Sequence, residues 1–146
     1  VMKTAGTAEA WIYLERNASQ GGTYQTIFSN FLYQHLVNDF LYLEGGADLF
    51  QVIPTLNVWN HIAVTWTNSS NDQTARLWLN GVETPMTIQG GSYALQGIAG
   101  LARHSGAGQY LKGKVDEVRV YETVLTLSEI QQRYAEGLPK HQLVKQ

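Results

Sequence analysis

Short segments in which apolar and polar residues alternate recur along the chain, and this pattern limits the possible folds most strongly. In "HIAVTWT", Ile62, Val64 and Trp66 alternate with Ala63, Thr65 and Thr67, which is the two-residue period of a β-strand with one buried face. Similar segments are "AEAWIYLE" (8–15), "YQTIFS" (24–29), "FLYQHL" (31–36), "FLYLEG" (40–45), "DLFQVI" (48–53), "TARLWLNG" (74–81), "GIAGLA" (97–102) and "KVDEVRVYE" (114–122). Short strands spaced in this way predict an all-β sandwich or barrel.

Two turn signals predict that neighbouring strands are antiparallel. The polar residues "NSSNDQ" (68–73) separate two of the strand segments, and such residues favour a solvated hairpin loop. The pair Asn80-Gly81 follows the second of these segments. Asn-Gly supplies the two positive φ angles that a tight hairpin turn prefers. The middle of the chain is therefore predicted to be an antiparallel meander.

One segment near the end of the chain has the pattern of a helix. Thr126 is followed three residues later by Glu129, which is the spacing of a capping box. Ile130 then begins an apolar face, Gly137 is placed for a positive-φ stop, and Pro139 is expected to prevent continuation. We therefore expect one short C-terminal helix of two to three turns that packs on the sheets.

Composition limits the class of protein. The 146 residues suit one domain, which we place at 1–138 with a tail at 139–146. Charged residues are only 15% of the chain and the net charge is −2, so no cationic surface for nucleic acid is expected. The sequence has no cysteine, no basic-then-apolar leader and no apolar run long enough to cross a membrane. Because the chain begins at Val1 without Met, we expect a module of a larger protein.

Three segments, taken in order, resemble a known family. They are "WNHIAVTWT", "ARLWLNGVE" and "YLKGKVDEVRVYETVLTLSEIQQRY". Together they look like the laminin G-like, concanavalin A-like lectin domains, particularly the branch that is similar to pentraxins. The resemblance covers residues 59–134 and extends back to about residue 8. It implies a two-sheet antiparallel jelly-roll sandwich, which agrees with the strand pattern.

Some relatives of this fold hydrolyse glycosides with two glutamates on one strand. The nearest segment here is "KVDEVR", in which Lys114 and Arg119 stand where the two glutamates would be needed. Asp116 alone cannot act as both nucleophile and general acid. The sequence therefore favours a protein that is not an enzyme.

Trp78 is the first candidate for a ligand contact. It alternates with Arg76 and Asn80, so its face is expected to be the outer, curved one. The ring could stack on a sugar while Arg76 binds hydroxyl groups. The alternative is an aromatic ring half-covered by neighbouring strands.

The loop "ARHSGAGQY" is the second candidate. It contains Arg103, His104, Gln109 and Tyr110, which offer donors, acceptors and a ring to a neutral polar ligand. Loops at the rim of a sandwich often carry binding residues. The alternative is a solvated connection.

Asp116 is the candidate metal ligand. The alternation places it on the apolar face of Val118 and Val120, where a carboxylate needs a partner. Relatives of this fold often hold Ca²⁺ near the sheet edge, and the resemblance therefore implies a possible calcium ion at Asp116. The alternative partner is a backbone N–H of a neighbouring loop or of the helix start.

These features together indicate a non-catalytic carbohydrate-binding (lectin-like) module. We expect it to act in an extracellular or cell-surface protein, with a glycan as its ligand and with no membrane insertion. A protein-interaction, architectural or adhesion module that binds a partner protein is the alternative.

Overall fold

The computed structural model describes residues 3–44, 49–88, 91–102 and 109–142. These residues form strands β1 (Gly6–Leu14), β2 (Gln25–Ser29), β3 (Leu32–Gln34), β4 (Leu41–Leu43), β5 (Leu49–Phe50), β6 (Trp59–Trp66), β7 (Arg76–Leu79), β8 (Val82–Glu83), β9 (Met86–Thr87), β10 (Gly100–Leu101) and β11 (Gly113–Tyr121). The helices are α1 (Ala18–Gly21), one 3-10 turn (Asp72–Thr74) and α2 (Leu127–Gln142). Neither α-helix of the described ranges has the length and apolar character needed to cross a bilayer.

The strands form two antiparallel sheets that enclose one core. The five-stranded sheet has the order β11-β1-β6-β7-β8, and the six-stranded sheet has the order β10-β2-β3-β4-β5-β9. Buried side chains of both sheets fill the space between them: Ile12, Ile62, Val64 and Leu77 from the first, and Phe28, Leu32, Leu41 and Phe50 from the second. The predicted two-sheet sandwich with a C-terminal helix is confirmed.

The turn between β7 and β8 has the conformation that its sequence predicts. Asn80 has φ 51° and Gly81 has φ 80°, and Leu79 pairs with Val82 directly across the turn. Two positive φ angles match the twist of the adjoining strands.

The loop between β6 and β7 is less solvated than we predicted. Asp72 is fully buried. Its backbone N–H donates to the Tyr93 carbonyl at 2.7 Å, and its Oδ1 accepts a hydrogen bond from the Tyr93 N–H at 3.0 Å. A distant segment therefore covers this loop, which a local polar pattern does not reveal.

The predicted capping box at the start of α2 is present. The Glu129 N–H donates to Thr126 Oγ1 at 3.2 Å, and the Thr126 N–H donates to Glu129 Oε1 at 2.9 Å. Hydrogen bonds from the backbone and the side chain of Thr126 to the carboxylate lower the pKa of Glu129. Two N–H groups that the helix itself leaves unpaired are thereby satisfied.

Replacing this cap should weaken the helix measurably. Thr126→Ala removes the hydroxyl acceptor, and we expect the free energy of unfolding to fall by about 1 kcal/mol. Ser128→Ala, in the same exposed turn, is the control and should change stability by less than about 0.5 kcal/mol. Equal stability of the two variants in urea titrations would contradict the role of the cap.

The helix is longer than we predicted, because α2 has 16 residues and includes both Gly137 and Pro139. Gly137 is not a positive-φ stop. A Cβ at this position would lie 2.6 Å from Cε2 and Cζ2 of Trp11, so the glycine allows the helix to approach the sheet. His141 stacks on the same indole at 4.1 Å, and this packing holds the last turn despite Pro139. The 1–138 domain boundary stays a prediction.

A β-bulge in β11 corrects the predicted face of Asp116. On β1, one residue separates Glu9 from Trp11, but two residues separate their partners on β11, Arg119 and Asp116. One of these two residues, Glu117, has φ 49°. A bulge breaks the two-residue alternation. Asp116 therefore lies on the outer face with Trp11, whereas Val118 packs against the core.

Candidate functional site: a cleft beside the C-terminal helix

An open cleft of about 710 Å³ lies on the outer face of the five-stranded sheet. Strand ends, a loop, the β7–β8 turn and the last turns of α2 supply its lining: Tyr13, Thr55, Asn57, Val58, Trp59, Asn60, Asn80, Lys114, Tyr134, Leu138, His141 and Gln142. The cleft exists because α2 covers only part of this face. Rings and amide groups predominate in its walls.

Two half-buried rings form one wall. Tyr13 pairs with Trp59 across β1 and β6, and their rings meet edge to face with centroids 5.6 Å apart. Trp59 also meets the His141 ring edge-on at 4.9 Å. Lys114 Nζ lies 4.7 Å from the centroid of Tyr13. These contacts fix the Trp59 ring from two sides while part of it remains open to solvent.

A network of asparagine amides forms the floor. Asn60 is buried and donates from Nδ2 to the carbonyls of Thr55 and Val58, at 3.0 and 3.3 Å. Asn80 Oδ1 accepts a hydrogen bond from the backbone N–H of His61 at 2.7 Å, and Asn80 Nδ2 donates to Asn60 Oδ1 at 3.3 Å. The floor is therefore held in position before any ligand arrives.

Beneath the helix, a buried polar group adjoins this aromatic region. Glu9 and His61 have side chains that are 2% and 1% exposed, and Glu9 Oε1 lies 2.7 Å from His61 Nε2. The Tyr121 hydroxyl donates to Glu9 Oε2, and Arg133 Nε lies 3.8 Å from the same oxygen. Burial alone would raise the pKa of Glu9, but hydrogen bonds from His61 and Tyr121 and the charges of His61 and Arg119 lower it overall.

The predicted contact residues of β7 lie outside the cleft. Arg76 is exposed, with Nε 3.2 Å from Glu83 Oε2. Trp78 is on the outer face, as predicted, but it is partly buried against the cluster of Ala63, Leu125 and Ile130. Its ring is therefore partly covered by the helix start rather than fully open for stacking.

The strand that follows the predicted rim loop begins at the other end of the five-stranded sheet from Arg76. Arg76 pairs with Thr65 and Thr65 with Thr7, whereas Gly113, just beyond the loop, pairs with Leu14. Seven residues of β1 separate the two positions, or about 23 Å at about 3.3 Å per residue. Arg76 and the start of β11 therefore do not belong to one site.

Within that loop, Gln109 and Tyr110 are described and Arg103 and His104 are not. The Gln109 carbonyl accepts the Thr26 N–H at 3.3 Å, and the Tyr110 side chain is exposed. Arg103 and His104 lie outside the described residues. Their role in binding stays a prediction.

Sequence reasoning missed Trp59 and Tyr13 as residues that line the candidate cleft. Trp59 and Ala63 are an even number of residues apart on β6, so their side chains point to the same, outer face of the sheet. Trp66 points to the core. Tyr13 has the corresponding parity on β1. Two outward-facing aromatic residues at the ends of central strands were the available signal.

Many solved structures share this fold, and three of them show its range. A protein from Bacteroides ovatus, whose proposed role is carbohydrate binding, superposes with a TM-score of 0.64 at 19% identity over 90% of this chain and 41% of its own. Domain 4 of an extracellular arabinanase from Geobacillus stearothermophilus, solved with arabinotriose, gives 0.56 at 20% identity over 90% and 67% of the two chains. A pentraxin from Limulus polyphemus gives 0.52 at 16% identity over 88% and 69%.

No curated protein matches the chain by sequence. The chain spans less than half of the Bacteroides protein. A family profile does match, over residues 2–131, and it is described as the concanavalin A-like lectin/glucanases superfamily. This match covers most of the chain and agrees with the two antiparallel sheets, so the chain belongs to the concanavalin A-like lectin/glucanase superfamily.

Proposed function

We propose that this chain is a non-catalytic carbohydrate-binding module whose ligand occupies the cleft beside α2. The observation that carries the proposal is the joint placement of Trp59 and Tyr13 in one cleft whose lining also includes the exposed amides of Asn57 and Gln142. Protein sites for small polar ligands combine apolar rings with a few fixed polar groups. A sugar presents an apolar C–H face to a ring and hydroxyl groups to amides.

The lining also supports a binding role rather than hydrolysis. Among the described residues that line the cleft, none is Asp or Glu. Glycoside hydrolysis generally requires a pair of carboxyl groups on either side of the scissile bond. Glu9 and His61 are buried beneath the helix, where a substrate has no access to them. Two of the related structures are of proteins with a stated link to carbohydrate.

The proposal includes the setting of the module. We infer an extracellular or cell-surface parent protein, since only 15% of the residues are charged and one structural relative is a domain of an extracellular enzyme. A single open cleft of this kind binds weakly, and display of several copies would raise avidity.

A glycan array followed by calorimetry tests the proposal. The array of a multimeric form should identify a glycan, and Trp59→Ala should weaken its binding by at least about tenfold, because truncating a central aromatic anchor is costly. Tyr110→Ala and Trp78→Phe are the controls, and each should keep the wild-type affinity within about twofold. Thermal melting of each variant shows whether it is folded.

Two outcomes would contradict this assignment. Unchanged affinity of a folded Trp59→Ala variant, with loss in Tyr110→Ala, would place the ligand at the rim loop instead. If the protein bound no glycan on a broad array, the result would favour the alternative, a module that binds a partner protein.

A further inference from the structure

Three potential metal ligands converge where α2 meets the bulge of β11. They are Asp116, Glu117 and His141, whose nearest ligand atoms all lie within 4.8 Å of one another. His141 Nε2 is 3.1 Å from Asp116 Oδ2 and 3.6 Å from Glu117 Oε2. A tetrahedral zinc ion with bonds of about 2.0–2.1 Å separates its ligand atoms by about 3.3–3.4 Å. The two spacings from Nε2 are close to that requirement, whereas the spacing between the two carboxylate oxygens is bounded only at 4.8 Å.

The tautomer of His141 strengthens this interpretation. Its Nδ1 lies 2.7 Å from the Gly137 carbonyl, which can only accept, so Nδ1 carries a hydrogen. In the neutral ring Nε2 then has a lone pair directed at carboxylate oxygens. With the ring in this form, a cation between the three groups would satisfy all of these acceptors at once. Metal-bound histidines commonly donate their other N–H to a backbone carbonyl in this way.

A proton on Nε2 would satisfy only part of the group. It could be donated to Asp116, but Glu117 Oε2 is shielded from solvent and has no hydrogen-bond partner. The other Glu117 oxygen is 3.3 Å from Lys140 Nζ and 3.5 Å from Arg119 Nη2. These two cations hold Oε1 and leave Oε2 for a shared cation.

We infer that Asp116, Glu117 and His141 form a site for a divalent cation of the zinc class. Imidazole nitrogen with two carboxylates suits Zn²⁺, whereas Ca²⁺ takes about 6–8 oxygen ligands. The donor set therefore fits zinc better than the calcium ion that the family resemblance suggests for Asp116. The ion would join the last turn of the helix to the edge strand.

Titration of the tag-free protein with Zn²⁺ alone, without any sugar, tests this site independently of glycan binding. Calorimetry should show one ion per chain, and the melting temperature should rise with Zn²⁺ and return with chelator, as a ligand of the folded state requires. Asp116→Asn should weaken binding by at least about tenfold. Because the Asp116 side chain is 56% exposed, this variant should still fold.

Controls separate this site from adventitious binding. Glu136→Gln, on the same helix, and His35→Gln, in the turn between β3 and β4, should bind Zn²⁺ as the wild type does. Co²⁺ should give the visible absorption of a four-coordinate ion, and Asp116→Asn should lose it. Equal Zn²⁺ affinity in Asp116→Asn, no binding by the wild type, or tighter binding of Ca²⁺ than of Zn²⁺ would each overturn the inference.

Discussion

Glu9→Ala should lower the free energy of unfolding by about 2–4 kcal/mol, because it removes the buried carboxylate that His61 and Tyr121 hydrogen-bond, and a hydrogen bond to a charged group is worth about 1.5–3 kcal/mol. The Glu9 carboxylate binds His61 and Tyr121, with Arg133 beside it. Truncation leaves these polar groups buried without their common acceptor. The loss should appear in urea titrations as a lower midpoint with an unchanged slope.

A matched pair on the surface provides the control. Glu122 Oε1 lies 3.0 Å from Lys3 Nζ, but its side chain is 72% exposed. Glu122→Ala should therefore change stability by less than about 1 kcal/mol. A similar loss of unfolding free energy in the two variants would show that the buried Glu9 group stabilises the fold no more than an exposed ion pair does.

The Glu9 group also sets the acid sensitivity of the fold. Because the pKa of Glu9 is lowered from 4.5 on folding, its contribution is complete above that pH and is lost as the pH falls through the folded value. The stability difference between wild type and Glu9→Gln should therefore shrink below about pH 4.5. Glu129 is present in both proteins, so its own effect cancels. A difference that stays constant with pH would contradict this linkage.

Gly137→Ala should destabilise the protein, although alanine is the better helix former. Propensity alone favours alanine by about 1 kcal/mol. The added Cβ would meet the Trp11 indole at 2.6 Å, however, and such overpacking costs about 1–3 kcal/mol or more. Since Trp11 is 3% exposed and stacked on His141, it has little room to move. We therefore expect a net loss and a loosened last turn of α2.

Gly97→Ala is the control for the general effect of adding a methyl group. A Cβ at Gly97 would meet no atom within 4 Å, so its stability should change by less than about 0.5 kcal/mol. Melting curves of both variants, with hydrogen exchange of α2, measure the difference. A Gly137→Ala variant more stable than the wild type would show that the helix does not depend on this close approach.

The elements that sequence predicted well depend on local rules. The capping box at Thr126 and the Asn80-Gly81 turn need only a few neighbouring residues, and alternation along β6 correctly placed Ile62 and Val64 in the core. The second sheet and the helix followed from the same rules together with the family resemblance.

The features that sequence missed depend on contacts between distant segments. Gly137 and Pro139 have the local pattern of a helix end, but stacking of Trp11 on His141 extends α2 past both. The bulge at Glu117 turned Asp116 to the outer face, which strict alternation cannot foresee. The cleft itself is formed by several segments that are distant in sequence, so no single sequence motif predicts it.

The indole N–H signals of the four tryptophans provide the most direct test of where the ligand binds. Each reports a different environment: Trp59 in the cleft, Trp11 beneath the helix, Trp66 in the core and Trp78 at the helix start. Titration with the glycan that the array selects should shift the Trp59 signal most and leave those of Trp66 and Trp78 in place. A shift at Trp78 with Trp59 unmoved would contradict binding in the cleft.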